Sequence, residues 1–563
     1  MGGPCNAFLS VVVANVASID TEVGGRLQSR GVTGVACEWA VVAGPTFDLR
    51  KQPWVPVRER TARGNVGLQE ALIRAHELTD IDVPLPPAAA GLWRVLALLA
   101  ARVTGLDEDD LSAKEFLERR SKVLERRRFD PDDVEKYFGG YPGRFDLFDR
   151  ERPWLQDPRL ATECTATSGL NRVVFGRSSG NNQVWLGHHT DLAPRPVPAA
   201  EGVWHLLATL YYGPSGRCTT RTVKGRSEGN TAAGPLRSGL SCHPVGENLF
   251  ESLVAGIPVP DGGDDDRGNA VDVAPWEADS LGDPLRGPVP LRGMARVLVG
   301  RFQHAVLLTP DPSGAQVIDA TMTWAWRAKG NEGLDPYLIY QTNKKGEPYP
   351  RPASATRATW RDLDALLLDS DDQHHRPAVL GAVQHLPPEL VSGMRVRVFG
   401  FDQDGQTRDR QFFTQTTPPV LRWLQERDPA FAYGVGRVRD AAEHVGRNLA
   451  QALKAAWALQ ADPTDDGLHA PSRLDGGPGP WVAAAEGRYW PAAERVFWDV
   501  LGHAEHAAEA GGDPLAVFQA ASDRFVQEAE RAYDDIADQV DARTHGRMTR
   551  ALARYRGRLR SGL

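Results

Sequence analysis

The chain is poor in cysteine. Its 563 residues include five, at Cys5, Cys37, Cys164, Cys218 and Cys242, and no two stand as C-x-x-C. An odd, dispersed set does not make a disulfide framework. It suits a reducing compartment, so the cytoplasm is the expected location. It also leaves no ligand set for a zinc ribbon, and no metal is expected. Long apolar runs are missing too: no stretch reaches the roughly 18 apolar residues of a membrane span. "FLSVVVANVA" (Phe8 to Ala17) is short and has no basic segment before it, unlike a secretory leader. Residues 1–46 read as a poorly determined extension. Nor is there an excess of positive charge: 65 Lys and Arg stand against 73 Asp and Glu, for a net charge of −8. That excludes a histone-like polycation, but it does not exclude local basic patches.

The signatures of catalysis are also thin. Gly434-x-Gly436 lacks the third glycine of a dinucleotide fingerprint, and no Walker sequence occurs, so no cofactor is expected. Gly176-Arg177-Ser178-Ser179-Gly180 matches the G-x-S-x-G nucleophile elbow. "NRVVF" supplies a strand before it, but "NNQVWLGHHTD" behind it contains no helix start. A serine hydrolase using Ser178, with His205 as base, is therefore the alternative reading, and a scaffold that binds only protein is a third. Asp402 and Asp404 before Gly405 hint at a calcium loop, but the glycine comes too early and no glutamate closes the set. His188-His189 and His374-His375 would point to opposite faces of a strand and have no partner ligand at a recognisable spacing. The chain does not read as an enzyme.

What is present is organised in two textures. "FDLRKQPWVPVR" (Phe47 to Arg58) reads as a first strand on a sheet edge, where Pro53 and Pro56 are tolerated. "AAAGLWRVLALLAARVTGL" reads as a mostly buried helix, and residues 113–128 as a helix rich in arginine. From about Asp146 to Thr414, Gly and Pro are dense and short alternating runs appear. "DPSG" separates two such runs as a hairpin, and so does Asp404-Gly405. After "TTPP" the chain reads helical over 419–428, 434–460, 480–509 and 514–560. The expected class is α+β: a mixed domain over 47–415 and a four-helix bundle over 416–563.

One run stands out: "GRSEGNTAAGPLRSGL", from Gly225 to Leu240. In and beside it lie Arg217, Arg221, Lys224, Arg226 and Arg237, against one acid, Glu228. Gly, Ser and Thr between them let a backbone approach a ligand, and arginine forks suit phosphate. A second basic cluster holds seven arginines from Arg543 to Arg560, among them Arg547 and Arg554.

The order of "WVPVR", "FDLFDRERPWLQD" (Phe145 to Asp157), "GPLRSGL" (Gly234 to Leu240) and the terminal helices resembles the CasA family, over roughly residues 47–563. This family is the large subunit of the type I-E CRISPR complex Cascade. The resemblance implies a non-catalytic subunit that inspects duplex DNA for the motif beside a target. It also implies help in opening the strands and in recruiting the helicase–nuclease. Its partners would be guide RNA, double-stranded DNA and the other Cascade subunits, including the small subunits.

The resemblance assigns a glycine-rich motif loop to Asn230, Ala232, Ala233, Gly234 and Arg237. It assigns a hairpin wedge to Gln403, Asp404, Gly405 and Gln406. A basic finger falls at Lys329 or Arg327. The loop that holds the guide-RNA handle falls at Phe175, Arg177, Asn181 and Asn182, with the aromatic ring free to stack on a base. Phosphate contacts fall to Arg217, Arg221, Lys224, Arg226, Arg547 and Arg554. The cysteine-rich metal segment of some relatives is absent.

Overall fold

The computed structural model describes residues 44–562 apart from 109–110, 181–186, 261–271, 288–292, 329–333, 371–373, 405–407, 462–478 and 541–544. Residues Pro45–Leu563 form one compact unit, which mixes helices with small antiparallel sheets.

The first strand, Val55–Arg58, lies in the middle of its sheet, between Arg63–Val66 and Asp80–Ile81. The edge position expected from Pro56 is therefore corrected. Asp80–Ile81 pairs only with Val57 and Arg58, so the missing N–H of Pro56 falls where no third strand asks for it. Its carbonyl still accepts the Asp82 N–H at 2.8 Å.

The centre is the helix Pro86–Thr104, with prolines at its start and Gly105 in the left-handed conformation (φ 64°) at its end. Such an end suits glycine, which has no Cβ to clash. This helix is long and apolar enough to cross a membrane, but most of its surface is buried inside the protein. Arg94, in its middle, is buried, reaches Asp335 at 2.7 Å and donates to Ser241 Oγ at 3.0 Å. A buried guanidinium is stable only when paired in this way.

Helix Ala199–Tyr212 packs against that central helix. Around the pair stand three sheet elements. Ser241–Val245 flanks the long hairpin Arg395–Asp404/Arg408–Thr416. His304–Pro310 and Gln316–Trp324 form the hairpin expected around "DPSG". Gly216–Val223 and Arg226–Thr231 form a separate two-stranded hairpin. The long hairpin pairs Asp404 with Arg408, so its connection spans 405–407 rather than the two-residue Asp-Gly turn expected.

Beyond Thr416, the helix expected over 419–428 is only a short 3₁₀ turn, Leu421–Trp423. The long helix starts at Pro429, where Asp428 accepts the Phe431 N–H at 3.0 Å. Pro429–Ala461, Gly479–Glu509, Ala521–Asp538 and Gly546–Tyr555 pack on one another. The single helix expected over 514–560 is therefore broken into several pieces. Charged pairs join these helices to the preceding part: Glu443 takes Arg357 and Arg361, each at 2.8 Å, and Arg439 takes Asp364 at 2.7 Å.

Candidate nucleic-acid interface

Half of the basic run is strand rather than loop. Arg226–Thr231 pairs antiparallel with Gly216–Val223. Lys224 and Gly225 turn between them with φ of 49° and 82°, the positive pair that a two-residue hairpin needs. The register shifts between Arg217 and Arg221, a bulge that re-aims side chains.

Arg221 is fully buried. It donates to Glu163 at 2.6 Å, Asp157 at 2.8 Å and the Trp324 carbonyl at 3.1 Å. Burial works against the ionised Asp157, yet hydrogen bonds and charge from Arg159 and Arg221 hold its carboxyl below the usual range. The assignment of Arg221 as a phosphate contact is corrected: its guanidinium is consumed inside the protein. The signal is legible as alternation, since Arg221 shares a strand face with the buried Val223. Lys224 and Arg226 are exposed, at 69% and 57%, and lean on Asp283 at 2.8 Å and Glu228 at 3.2 Å. The Arg217 side chain is exposed, and its carbonyl accepts from Arg172 at 2.8 Å.

The segment Ala232–Gly239 finishes helix Ala199–Tyr212. The Gly234 N–H donates to the Gly213 carbonyl at 2.8 Å, and the Leu236 N–H to the Tyr211 carbonyl at 3.0 Å. The Arg237 guanidinium donates to the Tyr212 carbonyl at 2.5 Å. A helix leaves its last carbonyls unpaired and carries negative potential at that end, so a loop bearing N–H groups and a cation satisfies both needs. Gly234 is forced by this contact: a Cβ there would lie 2.5 Å from the Tyr211 oxygen.

Arg237 is buried over the Phe401 ring, 5.1 Å from its centre. The expectation that its guanidinium is free to fork a phosphate is corrected. Ala232 and Ser238 are exposed and Ala233 is half-buried, so these residues stay accessible in the segment. Asn230 is exposed, and its carbonyl accepts from Arg327 at 2.7 Å. Arg327 in turn lies over the Trp324 ring at 4.0 Å, and burial lowers its pKa from the ordinary value. Two residues expected to be neighbours in function are thus neighbours in space. Lys329 lies outside the described residues.

The long hairpin meets the same place. Phe399, Phe401 and Gln403 share one strand face. Gln403 Nε2 donates to the Arg237 carbonyl, and Gln403 pairs with Asp409 next to the turn end of the hairpin. Gly405 and Gln406 lie outside the described residues, and Asp404 closes the described strand.

Phe175 is half-buried, 6.2 Å from Phe401 ring to ring, and its N–H donates to His205 Nδ1 at 3.2 Å. It is not the free stacking platform expected. Arg177 donates to the Arg195 carbonyl at 2.6 Å, while Asn181 and Asn182 lie outside the described residues. Ser178 Oγ meets the His189 carbonyl at 3.5 Å. Burial, with the Arg177 charge, pushes His205 down to about 4. No strand precedes Ser178: Leu170–Arg172 is a 3₁₀ turn. The elbow geometry and the Ser178–His205 pairing are therefore not formed.

In the terminal cluster Arg547 donates to the Leu459 carbonyl at 3.2 Å, and Arg554 is exposed. Arg556 and Arg560 pair with Asp534 at 2.7 Å and Glu530 at 2.9 Å.

The chain is similar to several known proteins. A chain titled "CRISPR RNA-guided surveillance complex" is 45% identical, with a TM-score of 0.79, covering 92% of this chain and all of that one. A Thermus thermophilus CasA (Cse1) structure, 21% identical, covers 91% of this chain and 99% of its own, with a TM-score of 0.68, and shares the fold. The curated CasA/Cse1 protein of Thermus thermophilus is 28% identical over 334 residues, a match that spans 57% of this chain and 60% of that protein. The family model described as CRISPR-associated protein Cse1 matches residues 48–561, and this chain belongs to the Cse1 family.

Proposed function

We propose that this chain is the large subunit of a guide-RNA surveillance complex and reads the motif flanking a DNA target. The observation that carries the reading is the meeting of three separate segments: the accessible Ala232–Ala233 backbone, Arg327 against Asn230, and the turn end of the long hairpin at Gln403. They come from distant parts of the sequence and converge beside an exposed basic hairpin. Phosphate contacts position a protein on DNA, and backbone groups at base edges can read the narrow minor groove. Gln403, Asp404, Gly405 and Gln406, at the turn end of the hairpin, act as the wedge beside the first target base pair. A stiff two-stranded root suits a part that must offset an unstacking cost of a few kcal/mol.

In this reading residues 47–415 form the recognition part, and the helices beyond 416 form a four-helix bundle. That bundle faces the small subunits and the displaced DNA. The handle of the guide RNA is held near Arg177. The helicase–nuclease is recruited after the target opens, and the protein works in the cytoplasm without catalysing a reaction itself. Carboxylates in the motif loop test this. A complex carrying Ala232→Asp and Ala233→Asp should assemble normally and lose motif-dependent duplex binding. Unchanged discrimination between flanks would refute the loop assignment.

A further inference from the structure

We propose that the arginine-rich end of helix Ala113–Glu125 is a second duplex-DNA site, which grips the phosphate backbone beyond the motif and reads no sequence. None of its residues belongs to the motif loop, the wedge, the finger or the handle loop. From the motif reading it takes only that the complex meets duplex DNA.

Lys122, Arg126, Arg127 and Arg128 are all exposed, and none forms an ion pair or a side-chain hydrogen bond with the described residues. Other arginines nearby are engaged. Arg119 of the same helix pairs with Glu108 at 2.7 Å, and Arg74 takes Glu59, Glu70 and Glu77 at 2.6, 3.0 and 2.9 Å. Acids are not lacking either: Asp130, Asp132 and Asp133 open the next helix, Pro131–Gly139, where Asp130 accepts the Asp132 N–H at 3.0 Å. They serve the positive end of that helix and leave the arginines unmatched. The helix also carries a buried charge. Arg120 is 1% exposed, donates to the Ala382 carbonyl at 2.8 Å and has no carboxylate partner among the described residues. Its Nη1 is buried without a hydrogen-bond partner. Burial pushes it down to about 10, so it stays a cation at neutral pH and adds to the positive potential of the helix end.

The backbone makes an independent case. Arg127 holds φ at 57°, the left-handed position just past a helix, which glycine fills freely and arginine fills against a Cβ clash. A side chain kept where the backbone disfavours it points to a use. The chemistry of the patch selects the partner. Val123, Leu124 and Phe129 are buried, and no large apolar side chain between 113 and 140 is exposed. Protein interfaces centre on apolar and aromatic anchors, whereas cations alone suit a polyanion, and guanidinium forks suit phosphate. Position favours DNA over the guide RNA. Phe129 packs on Phe250, ring centres 4.9 Å apart, at the start of helix Leu249–Ala255. That helix follows strand Ser241–Val245, and the motif segment enters the same strand at its other end. Four residue steps of about 3.3 Å put roughly 13 Å of strand between the two. The handle loop lies at the motif end, through Phe175 on Phe401. A duplex is stiff over such lengths, and at about 3.4 Å per base pair 13 Å is roughly four pairs, so the patch meets DNA that continues past the motif.

The test uses the full chain in the assembled guide-RNA complex, as wild type and as one variant carrying Arg126→Gln, Arg127→Gly and Arg128→Gln. Arg127→Gly also relieves the left-handed strain, so the isolated variant should melt no lower than wild type. Matched duplexes either stop at the motif or run about 20 base pairs, two helical turns, past it. Wild type should bind the long duplex at least fivefold tighter than the short one. The variant should lose that gain, and its salt slope on the long duplex should fall by about 2–3. Its affinity for the short duplex and its preference between motif sequences should match wild type. A gain retained in the variant overturns the proposal, and so does a wild type with no gain from length. An intact gain with lost assembly onto the guide RNA, or with lost recruitment of the helicase–nuclease, overturns it too, by giving the patch to RNA or to protein. A wild type that gains from length but ignores the motif sequence would remove the motif assignment and leave this site standing.

Discussion

Gly234→Ala tests why the motif loop holds a glycine. The added Cβ would lie 2.5 Å from the Tyr211 oxygen, 2.7 Å from the Tyr211 carbonyl carbon and 2.9 Å from the Tyr212 nitrogen. All three are backbone atoms at the end of a packed helix, so no side chain can swing aside. The loop must lift. Lifting stretches the Gly234 bond to Gly213 at 2.8 Å and the Leu236 bond to Tyr211 at 3.0 Å, and it pulls the Arg237 fork off Tyr212. Two ordinary hydrogen bonds at about 1 kcal/mol each and one charged one at about 1.5–3 kcal/mol give roughly 3–5 kcal/mol of local destabilisation. At about 1.4 kcal/mol per factor of ten, amide exchange over Ala232–Gly239 should accelerate at least a hundredfold. Mass-spectrometric hydrogen exchange on the isolated chain reads this without DNA. Protection within threefold of wild type, together with lost duplex affinity, would refute the steric argument. In that case the glycine would be there for the DNA.

Arg221→Met should destabilise the fold by about 3 kcal/mol, because it leaves Glu163 without its cation and Asp157 with Arg159 alone; denaturant titration measures it. Arg217→Ala and Arg226→Ala should leave stability unchanged, weaken binding to all duplexes alike and lower the salt slope by up to about 1 each. Acid should also loosen the fold. Burial pushes His304 down to about 4, below its unfolded value, so its contribution is complete above about pH 6.5 and is lost as pH falls toward 4. From pH 7.5 to 5 that one group should cost about 2 kcal/mol. Asp107, pushed up to about 6 mainly by burial, opposes this: its contribution is present below about pH 3.8 and lost as pH rises through 6. His304→Gln should flatten the acid limb in denaturation curves, and an unchanged limb would contradict the assignment. Ser178→Ala should leave every function intact, and a fluorophosphonate probe should not label the wild type at Ser178.

The sequence carries the elements better than their contacts. The alternation around "DPSG" and through "MRVRVFGF" marks real hairpins, because a period of two follows directly from strand geometry. The buried helix at 86–104 is equally plain. Arg221 and Arg237 mislead because a residue type does not reveal which way its side chain faces. Their burial depends on partners elsewhere in the chain, Asp157 and Tyr212 among them. Pro56 misleads for a similar reason: the sequence does not show that the third strand is only two residues long. Gly234 reads as a place for close approach, but the approaching partner is a helix end of the same protein. The proximity of Arg327 to Asn230 has no local signal at all. It is reached through the family resemblance.

The central claim is tested most directly by a binding titration. Guide-RNA complex lacking its large subunit is mixed with this protein, and matched duplexes differing only in the flanking trinucleotide are titrated in. The account predicts that adding the chain confers tight binding that depends on the flank. Affinity that ignores both the chain and the flank would contradict it.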